Sequence, residues 1–142
     1  MNRQDAEDAN LKEPDADLDE YARVVIEAAF EVHRILGPGF LESVYEEALS
    51  VELGLRHVPL RRQVPVALMY KGAPIGQTRL DFQVAGRLVV ELKASEALLP
   101  VHMAQLLSYL KATGQSLGLL INFNVPFLRL GIRRVIRTVG TR

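Results

Sequence analysis

The sequence predicts an α/β fold, a mixed β-sheet flanked by helices in the order α-α-β-β-β-α-β. Three observations predict it. Apolar residues recur at helical spacing from Val24 to Leu53, and from Gln63 the period shortens to that of a strand. A second helical pattern, from Leu98 to about Thr113, then separates two apolar runs at 87–93 and 117–123. Strands divided by a helix suit a parallel crossover, and runs without polar alternation suit a sheet covered on both sides. The 142 residues are enough for one domain with its own core and too few for two.

Taken in order, residues 1–17 are acidic, poor in apolar residues and interrupted by Pro14; a disordered tail is expected, with a single domain over 18–142. Order should begin near Asp17 and Asp19, where an aspartate can cap the helix that follows. That helix spans 18–36, with Val24, Val25, Ala28, Val32, Ile35 and Leu36 at helical spacing. Gly37-Pro38-Gly39 ends it. A second helix over 41–53 carries Val44, Ala48 and Leu49 on one face, with Gly54 as its expected stop. Residues 63–70 form a strand whose Pro65 marks an edge or a beginning. A turn over 71–74, a strand over 76–84, the two-residue hairpin Ala85-Gly86 and a strand over 87–93 complete a meander. In the helix over 98–113, Leu99, His102, Met103, Leu106, Leu107 and Leu110 mark a broad apolar face, and Gly114 ends it. The run 117–123 is a central strand. The tail from Phe127 to Val139 is expected to add an edge strand with a basic face of Arg129, Arg133, Arg134 and Arg137.

The absence of cysteine excludes disulfides and thiolate metal sites, so a metal would be held by oxygen or imidazole. No apolar run approaches the length of a membrane span and no signal-peptide pattern opens the chain; a soluble, cytoplasmic protein without a membrane partner is expected. Tryptophan is absent and aromatics are 6%, which argues against a surface that stacks many bases. The net charge of zero hides an asymmetry. Residues 1–20 hold eight acids and two bases, and residues 21–142 hold nine acids and fifteen bases. A basic folded part permits a phosphate-bearing partner.

The chemistry concentrates between Gly76 and Ala94. Asp81 is the only acid between Gly54 and Val90, Glu91 follows Leu88-Val89-Val90, and Lys93 lies two residues on. Residues 91 and 93 of a strand point the same way. A carboxylate and an ammonium at the end of a buried strand are costly to desolvate, and Asp81, across the hairpin, can reach the same spot. Two or three oxygens can hold Mg²⁺ while leaving it waters, which suits phosphodiester hydrolysis. Asp81, Glu91 and the backbone carbonyl of Leu92 are the candidate metal ligands, with Glu42 completing the shell. Lys93 would stand beside the attacking water. A strand-end salt bridge is the plain alternative. His33 is expected to cap its helix, and His102 to be a satisfied boundary histidine.

The segment Gly39-Phe40-Leu41-Glu42-Ser43-Val44-Tyr45 resembles the signature of the GxxExxY proteins, a group within the PD-(D/E)xK nuclease-like superfamily. Val32-His33-x-x-Leu36-Gly37-Pro38-Gly39, the Asp81…Glu91-x-Lys93 core, Gln105-x-x-x-Tyr109 and the run from Gly118 to Phe123 are similar to family segments in the same order, over about residues 20–137. The resemblance implies the superfamily's fold and a Mg²⁺- or Mn²⁺-dependent nuclease acting on DNA or RNA. It makes Asp81 and Glu91 the metal ligands, Lys93 the catalytic lysine, Glu42 the supporting helix glutamate, and Gln105 and Tyr109 an element beside the active site that touches nucleic acid. Leu80 stands where the motif's name places a proline. Arg133 and Arg134 are the candidates for following a nucleic-acid backbone. The other readings are a non-catalytic nucleic-acid-binding module and an interaction scaffold, with the first helix and last strand burying a homodimer interface.

Overall fold

The computed structural model describes residues 15–138. Helix α1 (Ala16–Leu36) begins earlier than expected, because Asp15, not Asp17 or Asp19, is its cap and accepts the Leu18 amide at 2.9 Å. The tail expected to be disordered thus loses residues 15–17 to the first turn, and residues 1–14 lie outside the described ones. Helix α2 (Glu42–Leu55) runs through Gly54, the expected stop. The chain instead leaves the helix at Arg56 and His57, where His57 takes a left-handed φ of 57°. Its buried face is Tyr45, Leu49 and Leu53, whereas Val44 is exposed. Helix α3 (Pro100–Thr113) starts at its proline, whose missing N–H is no loss in a first turn. His102 Nδ1 accepts the Leu99 amide at 3.0 Å just outside it. Of the broad apolar face expected there, only Leu106 and Leu110 are buried, and Leu99 is exposed.

Five strands form one sheet in chain order: β1 (Leu60–Tyr70), β2 (Ala73–Val84), β3 (Leu88–Lys93), β4 (Leu117–Asn122) and β5 (Ile132–Ile136). Only β3 and β4 pair in parallel, with α3 as the crossover; the other pairs are antiparallel. The hairpin falls where the sequence places it, but its loop is the three residues 85–87 and not the expected two, since Val84 pairs with Leu88; the last edge strand is also present. The first turn is tighter than expected, with only Lys71 and Gly72 outside the strands. Pro65 sits on edge strand β1, the position where a proline within a sheet is tolerated.

Helices α1 and α2 cover one face of the sheet and α3 the other. Leu88, Val90 and Leu92 pack with Leu18, Val25, Tyr45 and Leu49, while Val89 and Leu120 pack with Leu106 and Leu110. This two-sided cover is why 117–122 is buried throughout. Helix α3 lies so close to β4 that a Cβ on Gly118 would stand 2.8 Å from the Leu106 side chain. No described helix is long and apolar enough to cross a membrane.

Two expectations about side chains need correcting. His33 does not cap α1; it is buried, its Nε2 is hydrogen-bonded to the Val125 carbonyl at 2.8 Å, and its ring stacks on Phe123. The arginines of the tail do not make one basic face. Arg133 and Arg134 are strand neighbours and point to opposite sides. Arg134 pairs with Asp19, and Arg137 donates to the carbonyls of Gln115 and Gly114.

Candidate active site

Strand β2 cannot serve both its neighbours along its whole length. Its ladder with β3 covers Val84↔Leu88, Gln83↔Val89 and Phe82↔Val90 and stops there. Beyond it, β2 continues with β1 out to Ala73, and β3 continues with β4 out to Asn122. The two strands part like the arms of a V at the next position, where Asp81 and Glu91 face each other. Side chains take over the work of the ladder. Asp81 Oδ2 accepts the Leu92 amide at 2.8 Å, and Glu91 Oε1 accepts the Asp81 amide at 3.1 Å. The parted strands therefore keep their hydrogen bonds, and both carboxylates are fixed between them.

The twist that opens the V is visible on the other side of Asp81. Gln63 of β1 lies opposite Asp81, between the pairs Arg62↔Phe82 and Val64↔Leu80. Gln63 has φ 50°, left-handed for a residue with a side chain. Side chains two apart on a strand should share a face, yet Phe82 packs with α1 and α2 while Leu80 and Val64 pack with α3. The β1–β2 ribbon rotates about this point.

Burial and like charge act together on the acids. Glu91 is 7% exposed; desolvation first, and the Asp81 charge second, push its carboxyl up to about 8, against the Asp81 amide and Lys93. Asp81 is raised by desolvation, less strongly because the Leu92 amide favours its charged form. Glu42, the first residue of α2, is also raised, by desolvation and then by Asp81, with Lys93 opposing. It lies at the rim of the pair. Lys93 is half-buried on the α3 side and lines a cavity of about 540 Å³ with Val101, His102, Ala104, Gln105 and Ser108.

The glycine–glutamate–tyrosine spacing acquires a physical reason. Tyr45 is fully buried, donates its hydroxyl to the Gly37 carbonyl at 2.6 Å and accepts the Phe40 amide at 3.2 Å. Its ring stacks on Phe123 at 4.5 Å. One tyrosine thereby clamps the 37–40 turn onto α2 and fixes where Glu42 begins the helix. Gly39 makes the turn with φ 107°, which side chains rarely adopt.

The remaining candidates separate. Gln105 faces the Lys93 cavity. Tyr109, one turn on, accepts a hydrogen bond from Thr78 Oγ1 at 3.1 Å and ties α3 to β2 three residues before Asp81. The Leu92 side chain is core, and its backbone links Glu91 to Lys93. Arg133 and Arg134 are on β5, two strands from β3, and Arg133 donates to the Leu130 and Ile132 carbonyls. Sequence reasoning missed Glu46, whose charge also raises Asp81 and Glu42. Arg62 and Gln63 hold it at 2.8 and 2.6 Å. It missed Asn122 as well, buried at the end of β4, which bonds both the amide and the carbonyl of Ser95 and so fixes the loop after Lys93. A polar residue closing an all-apolar run was the available signal for Asn122; Glu46 had none.

The profile of the PD-(D/E)XK nuclease superfamily matches residues 19–135. The chain belongs to that superfamily. The match takes in every described strand but the last residue of β5, and both arms of the V. A solved structure of this PD-(D/E)XK chain's fold is the crystal structure of SSO0001, with a TM-score of 0.51 and 22% identity over 86% of this chain and 60% of that one. The chain thus spans somewhat under two thirds of that protein. No curated protein matches.

Members of the superfamily generally use divalent metals, and the acid pair fits one. A buried carboxylate, Glu91, and a half-buried one, Asp81, face each other with one lysine nearby, all donors are hard oxygens, and Mg²⁺ is commonly held by one or two carboxylates with waters completing the shell. Among the described residues no three acidic or histidine side chains form a ready cage; Asp81 and Glu91 make a pair with Glu42 outside it.

Proposed function

We propose that this PD-(D/E)XK chain, of the GxxExxY group, is a divalent-metal-dependent nuclease that hydrolyses phosphodiester bonds in nucleic acid. The observation that carries the reading is the Asp81–Glu91 pair, which takes the place of strand hydrogen bonds beside a half-buried Lys93. Carboxylates so placed are fixed by the fold before any ligand arrives, which is the preorganisation a metal site needs. Asp81 and Glu91, with the Leu92 carbonyl, would hold Mg²⁺ or Mn²⁺, and Glu42 would orient a water at the rim. The metal, when bound, supplies a more acidic water and neutralises charge at phosphorus. The ammonium of Lys93 stabilises the developing charge at its Nζ and orients the attacking water in the cavity it lines. Gln105, on the facing wall, is placed to touch the substrate.

The test is purified protein with Mg²⁺ or Mn²⁺ and labelled single-stranded, duplex and branched DNA and RNA. Cleavage is expected. Lys93→Ala should stop it, by about 10²-fold or more, while calorimetric metal binding persists; Asp81→Asn and Glu91→Gln should lose both. Cleavage of none of the substrates, or full activity in Lys93→Ala, overturns the reading.

A further inference from the structure

The chain has five phenylalanines. Phe82 and Phe123 are in the core; Phe30, Phe40 and Phe127 are 43%, 47% and 62% exposed, and all three lie at one end of the molecule. Phe30, from α1, and Phe127, from the loop between β4 and β5, line a groove of about 270 Å³ with His33, Arg34 and Arg129. The Arg129 guanidinium lies 5.9 Å over the Phe127 ring and makes no ion pair among the described residues, while Arg34 is paired with Glu31. The groove lining contains no carboxylate. Phe40 joins the same end through edge-on contact with Tyr45, which stacks on Phe123, which stacks on His33.

The groove shares no lining residue with the Lys93 cavity and lies on the α1 side of the sheet, joined to the site through the end of β4. The Phe123 amide donates to the Lys93 carbonyl at 3.0 Å, and Phe127 is four residues further along. Four residues reach at most roughly 14 Å, about four base steps at ~3.4 Å each. A chain whose scissile phosphate stood at Lys93 would have bases within reach of the groove.

Resting on the proposed nuclease function, we infer that the groove of Phe30, Phe127 and Arg129 holds unpaired bases of a single-stranded segment of the substrate, next to the bond that is cut. Exposed ring faces beside a guanidinium bind bases that are free to stack. In a duplex those faces are already occupied by neighbouring base pairs, so the groove selects single strands, overhangs or open junctions.

The experiment is fluorescence anisotropy with the full chain in EDTA, so that nothing is cut. The probes are labelled DNA and RNA strands of about 12 nucleotides, within the span of such sites, and the same sequences as duplexes. The wild type should prefer the single strand. Phe127→Ala should weaken single-strand binding about fivefold or more, the value of one lost stack, and Phe127→Trp should retain it. Arg129→Ala should weaken it and lower the salt dependence by about 0.7 in the log–log slope. Because Phe127 is exposed, the alanine variant is expected to fold, which its melting curve verifies. Unchanged affinity in both alanine variants overturns the inference. So does equal affinity for the duplex with equal loss, or a wild-type dimer that Phe127→Ala splits while oligonucleotide binding is unmoved, since a second copy would then cover the groove. The two readings fail separately. Single-strand binding that depends on Phe127, without metal-dependent cleavage, ends the nuclease proposal alone; cleavage that needs Lys93 but ignores Phe127 ends this one alone.

Discussion

At neutral pH the Glu91 carboxyl is charged in the unfolded chain and protonated in the folded one, because burial and Asp81 lift it to about 8 from an ordinary 4.5. The folded state therefore binds a proton that the unfolded state gives up. Stability from this proton is complete below about pH 4.5 and is lost as pH rises through about 8, by up to about 1.4 kcal/mol for each unit crossed. In EDTA the melting temperature should accordingly fall between pH 5 and 8, and Glu91→Gln should flatten that fall. Added Mg²⁺ should restore stability more at pH 8 than at pH 5, since it competes with the proton; a flat wild-type profile in EDTA would remove this account of Glu91. The juxtaposition of Asp81, Glu91 and Lys93 was legible in the sequence, because strand alternation and a short hairpin bring them together, although the loop has three residues and not the expected two. The influence of Glu46 was not. It depends on Arg62 and Gln63 turning that side chain toward β1, and no local pattern records a contact sixteen residues away.

Among the elements, the existence and type of each helix and strand followed from apolar period, and the ends followed less well. Gly54 reads as a stop, but the helix runs one residue past it to Leu55, and the chain turns away where the Val58 amide bonds the Leu53 carbonyl. The rotation of the β1–β2 ribbon was invisible, since its pivot is a glutamine and not the glycine that usually announces a left-handed residue. The pivot stores backbone strain, on the order of 1–3 kcal/mol. Gln63→Gly should relieve the strain and also delete the side-chain hydrogen bond to Glu46. A net gain in unfolding free energy of up to about 1 kcal/mol, read from chemical denaturation, is expected, together with a change in metal affinity through a Glu46 held by Arg62 alone. Destabilisation would mean that the Glu46 bond outweighs the strain.

For the molecule as a whole, the mixed sheet in chain order and its two-sided helical cover were both legible, the order from short turns and a helical crossover and the cover from the apolar runs of β3 and β4. The distribution of positive charge was not, since arginines that read as one stripe are divided between faces and engaged by Asp19 and by backbone carbonyls. The exposed aromatic end was hidden by composition, as 6% aromatics says nothing of where they gather. The parted strands have a consequence for how the sheet breathes. The amide hydrogens of Asp81 and Leu92 are shielded only by carboxylates, whereas the ladder holds Phe82 and Val90. In D₂O these two should exchange first along β2 and β3 in the absence of metal and slow down when Mg²⁺ locks the carboxylates in place. The sheet would thus announce the state of its own cleft, one proton at a time.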